Sequence, residues 1–170
     1  MFQKIRRPRT VLAIHADGFG LSHATFNNPK TILAWGLKRA TRDKNMSCLR
    51  QFVKLLSLVK PDIVVLEDIP HSQKKQRSRV YTLISAMTEV AIERDCPVRF
   101  YSRKQIQEAF ALKGASTKHE ISSVIGDMFP KLKSAVPPKR KPWEPEPIAT
   151  SYFTAASLAL THFHFLPRPD

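Results

Sequence analysis

The chain has 170 residues, 28 Lys or Arg against 14 Asp or Glu, and a formal charge of +14 with its six His neutral. A chain this long is expected to bury roughly 70% of its extended surface, and its 42% hydrophobic residues fall in periodic runs that a disordered polycation lacks. Disorder is excluded, and the excess charge belongs on a folded surface, where it suits a polyanion such as nucleic acid better than an anionic membrane.

Two cysteines, Cys48 and Cys96, give neither a disulfide framework nor a zinc motif, and both sit among apolar residues as small core fillers. The basic stretch Lys4 to Arg9 lacks the apolar core of a signal peptide, and no run of about 18 apolar residues follows it. The expected location is the cytoplasm, with no membrane partner.

In chain order, Thr10 to His15 is a short apolar run that reads as a buried strand. Asp17-Gly18-Phe19-Gly20 supplies a turn, Leu21 to Asn27 a second strand, Asn27-Asn28-Pro29 another turn, and Thr31 to Leu37 a third strand of one antiparallel meander. Asp43 or Asn45 caps a helix whose apolar face is Met46, Leu49, Phe52, Val53, Leu56 and Val59. Pro61 ends that helix, and the aliphatic run Ile63 to Leu66 has the pattern of a strand buried on both faces.

Residues 68–79, with a proline and four basic residues, read as a loop leading into a helix from about Val80 to Arg94. Pro97 to Tyr101 is a further strand. Ser102-Arg103-Lys104-Gln105 and Thr117-Lys118-His119-Glu120 have capping-box form and start two more helices. Residues 134–147 hold five prolines with Lys139, Arg140 and Lys141 among them, an exposed connector. Ile148 to about Phe165 is a last helix. The order describes an α/β fold in a single domain, 1–170: a mixed five-stranded sheet, three antiparallel strands then two parallel ones, flanked by helices.

That layout resembles the ribonuclease H-like superfamily, and four segments together resemble the RuvC family of Holliday-junction resolvases. They are Val11 to His15 with Ser22 to Phe26; Pro61 to Glu67; Gly114 to Lys118 opening a helix; and Ala155 to His162. They span about residues 10–165, in the family's order and spacing. The resemblance implies a DNA-recombination nuclease that cuts branched DNA with Mg²⁺, acting as a homodimer. Carboxylates from two strand ends and the last helix would hold two ions about 3.5–4 Å apart.

Carried over residue by residue, few of those carboxylates remain. His15 stands at the first-strand Asp position, Glu67 matches the second acid, and Ser151 and Thr154 occupy the two acidic positions of the last helix. A lone carboxylate with imidazole and hydroxyls is a poor Mg²⁺ site, so a degenerate site is expected. A rearranged site remains open, with Asp17 and Glu67 as metal ligands and Glu144 or Glu146 as a third acid. His15 reads either as an acid–base or transition-metal group or as a hydrogen-bonded replacement in a retired site. His162 and His164, two apart on a helix, point to different faces and are structural.

The cations cluster at Lys4 to Arg9, at Lys38, Arg39, Arg42 and Lys44, at Lys74, Lys75, Arg77 and Arg79, and from Lys131 to Lys141. The third cluster follows Glu67 directly and is the expected nucleic-acid contact, with Lys118 at a helix start as a further phosphate contact. Three functions stay open. One is a catalytically degenerate protein that binds branched or duplex DNA, with RNA an alternative. The second is an active Mg²⁺-dependent endodeoxyribonuclease with rearranged acids. The third is a non-catalytic assembly subunit that meets an acidic protein partner.

Overall fold

Why the sheet has its order follows from the hydrophobic pattern of two strands. The computed structural model describes residues 9–166, so the basic cluster from Lys4 lies outside the described residues except for Arg9. Strands β1 (Val11–Ala16) and β4 (Ile63–Glu67) carry unbroken apolar runs and pair in parallel at the centre of a sheet ordered β3-β2-β1-β4-β5. Strands β2 (Gly20–Asn28) and β3 (Thr31–Arg39) complete the antiparallel meander. Strand β5 (Val98–Tyr101) adds in parallel on the far edge.

The two-residue period of the strands divides the core. Val11, Ala13 and Val65 face helix α6 (Thr150–Phe165), with α3 (Arg103–Phe110) and α4 (Lys118–Met128) packed around it. Leu12, Ile14, Val64 and Leu66 face α1 (Lys44–Val59) and α2 (Ser78–Glu93). Both cysteines are buried and free, Cys48 and Cys96 alike in the α1/α2 layer.

The helix ends follow their caps. Asp43, not Asn45, caps α1 by accepting from the Met46 N–H at 3.0 Å, and Lys60, in a left-handed conformation before Pro61, closes it. Both capping boxes form, at Ser102 with Gln105 and at Thr117 with Glu120. Three details differ from the sequence expectation. Residues 71–73 form a 3₁₀ turn and α2 begins at Ser78, inside the expected loop. A four-residue helix α5 (Pro130–Lys133) starts on a proline placed where its missing N–H is not needed. The last helix begins at Thr150 rather than Ile148, after Pro147, whose carbonyl accepts from the Thr150 N–H at 3.0 Å.

Among the described residues no helix is long and apolar enough to cross a membrane.

Candidate functional site

Parallel pairing of β1 with β4 sets Val11 opposite Ile63 and Ala13 opposite Val65. Carrying that register two residues further brings His15 opposite Glu67, on the face that packs against α6. The carboxyl ends of adjacent parallel strands are where open α/β sheets place their ligands. The first turn of α6 supplies Ser151 to the same place.

His15, 8% exposed, lies between two carboxylates. Its Nδ1 is 3.4 Å from Glu67 Oε2, and its Nε2 is 3.7 Å from Asp17 Oδ2. The Nδ1 contact has ion-pair distance without hydrogen-bond geometry, and the Oγ of Ser22, the cross-strand neighbour of His15, is buried with no hydrogen-bond partner among the described residues. Arg77 reaches back from the start of α2 and donates to both Glu67 oxygens, each at 3.1 Å. Burial pushes the Glu67 carboxyl up, but His15 and Arg77 outweigh it and hold the group at about 2.

Strand β1 stops at Ala16, yet the Asp17 side chain still reaches the site. One oxygen accepts from the N–H groups of Phe19 and Gly20 at 2.8 and 3.2 Å, holding the turn. The other accepts the Ser151 hydroxyl. Ser151 thereby brings a negative charge to the N-terminal end of α6, which has no acidic residue of its own in its first turn.

The cations expected to meet nucleic acid divide in two. Lys75 is exposed, and Lys74 lies 4.6 Å from the centre of the Tyr81 ring. Arg77 and Arg79 point inward instead. Arg79 donates to Asn45 Oδ1 and to the Asp17 carbonyl, both at 2.8 Å, tying the β1–β2 turn to α1. Two of the four cations expected to meet nucleic acid thus make contacts that hold the site together. Lys118 pairs with Glu146 at 2.9 Å.

That pair also answers the rearranged carboxylate set. Glu146 is held by Lys118, and Glu144 accepts from the backbone N–H of Lys141 at 3.0 Å, so neither joins Asp17 and Glu67. Among the described residues no three His, Cys, Asp or Glu side chains are placed to hold a metal ion. The donor set does not fit Mg²⁺: Glu67 is neutralised by Arg77, Asp17 is occupied by turn amides and Ser151, and an imidazole stands between them.

One residue of the site had no role in the sequence reading. Arg103 is the first residue of α3, just beyond the end of β5, and its Nη2 donates to the Ser116 carbonyl at 3.2 Å. Burial lowers its pKa, while the charges of Glu67 and Glu146 act to raise it. Its signal in the sequence was positional, since a cation at the first position of a helix opposes the helix dipole and needs a compensating anion. Beside Glu67, a cavity of about 580 Å³ opens between β4, β5 and α2, lined by Asp68, His71, Lys74, Tyr81 and Phe100 among others. Behind it, the buried His162 accepts from or donates to the Tyr101 hydroxyl at 2.8 Å, and burial, followed by Arg99 and Arg9, lowers its pKa to about 4.

The sheet order and the crossing of α6 over its centre give the chain a RuvC-like α/β fold. The solved structures it resembles are specific. Thermus thermophilus RuvC in complex with a Holliday junction substrate superposes with a TM-score of 0.69 and 17% identity, over 92% of this chain and 94% of that one. A second T. thermophilus RuvC structure gives 0.68 at the same 17%. The yeast mitochondrial Holliday junction resolvase Ydc2 gives 0.64 and 15%, over 95% of this chain and 80% of that one. No protein-family model and no curated protein sequence matches.

Proposed function

We propose that this protein binds branched or double-stranded DNA on its RuvC-like sheet edge and does not perform two-metal cleavage there. The observation that carries this is the ionic cluster at the strand ends, where Arg77 is bidentate on Glu67 and His15 stands between Glu67 and Asp17. A two-metal nuclease concentrates negative charge that only cations relieve. Here the two carboxylates are already met by Arg77, His15 and Ser151, so the site offers no concentrated negative charge for a metal ion to relieve. In this reading the whole chain acts as one domain in the cytoplasm, as a homodimer whose twofold axis matches that of a four-way junction.

The resolvases in the structural comparison supply the DNA class, and the basic composition supports it. The test is binding of a four-way junction by the full chain, in EDTA and in Mg²⁺ at matched ionic strength, followed by incubation with Mg²⁺ or Mn²⁺. The expected result is equal affinity in both buffers, a steep fall with added salt, and no strand cleavage. Metal-dependent cleavage abolished by Glu67→Gln would establish the active endonuclease instead. No binding to DNA or RNA at low salt would leave the assembly subunit with an acidic protein partner.

A further inference from the structure

Trp143 is 77% exposed, whereas the protein's other indole, Trp35, packs against the core. An indole in water forgoes the burial that normally places Trp inside a fold. Its setting is charged rather than apolar: Lys139, Arg140, Lys141 and Glu144 are all exposed, and the Lys141 ammonium lies 5.4 Å from the centre of the indole ring.

The segment carrying it is built, not loose. The Glu144 N–H donates to the Lys141 carbonyl and the Lys141 N–H to the Glu144 carboxylate, both at 3.0 Å. The Arg140 guanidinium donates to the Glu144 carbonyl at 2.6 Å. Pro142 precedes the indole and Pro145 lies two residues after it, restricting the backbone on both sides. The turn is anchored further on by the Lys118–Glu146 pair and by the bond from the Thr150 N–H to Pro147. It runs straight into α6, whose Ser151 holds Asp17. The indole is therefore presented from a built turn at the entry to α6.

We propose that Trp143 is a stacking platform for an unpaired nucleobase, with Lys139 and Lys141 meeting the phosphates on either side. This rests on the DNA-binding reading and adds to it a preference for DNA with opened base stacks. A base within a duplex has both faces covered by its neighbours. A single projecting indole finds a free π face only where a strand is unpaired or a branch point opens the stack. An apolar protein partner would need apolar surface around Trp143, and the surface there is cationic.

The experiment compares two probes at fixed salt: a duplex interrupted by a short single-stranded thymidine gap, and the uninterrupted duplex of the same length. Wild type is expected to lose tryptophan emission on binding the gapped probe. Trp143→Ala should weaken gapped binding roughly tenfold, the scale of one stacked base, while changing intact-duplex binding by no more than about twofold. Trp143→Phe should keep most of the gapped affinity and lose the emission change, since Trp35 alone remains. Equal weakening on both probes, unchanged affinity in Trp143→Ala, or emission indifferent to the gapped probe each overturns the stacking role while leaving DNA binding in place. Wild type that binds neither probe overturns the DNA-binding reading and the stacking role together.

Discussion

Burial alone would keep the Glu67 carboxyl protonated to a higher pH than an exposed Glu, yet His15 and Arg77 reverse the sign and hold it at about 2. A carboxylate with a lowered folded pKa stabilises the fold above its unfolded value, about 4.5, and that contribution is lost as pH falls through about 2. At pH 7 the contribution is on the order of 3 kcal/mol. Glu67→Gln keeps the shape but leaves the Arg77 guanidinium without its counter-charge. Urea unfolding of wild type and variant should therefore differ by about that amount at pH 7 and converge between pH 4.5 and 2. Parallel stabilities across that range would mean the carboxylate is not engaged. The juxtaposition of His15 and Glu67 was legible in the sequence, because two aliphatic runs ending in those residues pair in parallel with a period of two. The inward turn of Arg77 was not, since a guanidinium at the end of a long flexible side chain can point either way until the 3₁₀ turn at 71–73 fixes its approach.

Two capping boxes, at Ser102 and Thr117, each put a cation at the first helical position: Arg103 on α3 and Lys118 on α4. Such cations work against the helix dipole, and anions answer them, Glu67 and Glu146 for Arg103 and Glu146 for Lys118. The cap therefore positions charge as well as starting a helix. Ser102→Ala removes the acceptor of the Gln105 N–H, a bond of 3.2 Å. It should cost about 1 kcal/mol of stability, speed amide exchange at the start of α3, and weaken junction binding by displacing Arg103. Thr117→Ala is its companion at α4. A Ser102→Ala protein that loses stability but keeps full junction affinity would show that Arg103 plays no part in binding. At this scale most of the fold was readable, because caps, prolines and apolar periods are local signals. What escaped were short pieces without a period, the 3₁₀ turn and the four-residue α5, whose existence depends on packing rather than pattern.

The net charge of +14 belongs to the whole molecule, but its parts act differently. Arg77 and Arg79 are bound within the protein, to Glu67 and to Asn45 with the Asp17 carbonyl. Replacing Lys74, Lys75, Arg77 and Arg79 together would mix loss of contacts with loss of structure, so the cluster has to be divided. For Lys74→Ala with Lys75→Ala, the unfolding midpoint should stay where it is in wild type. The slope of log affinity for a junction against log salt should become shallower by about two, close to 0.9 for each phosphate contact removed. Arg79→Ala should do the reverse: it opens the β1–β2 turn and lowers the unfolding midpoint, with little change in slope. Coulombic binding to a polyanion is counted by cations free to release its counterions, whereas a guanidinium already held by the protein releases none. If Arg79→Ala changed the slope as much as the double lysine variant, Arg79 would have to leave Asn45 on binding, and the site would rearrange around the DNA rather than receive it preformed.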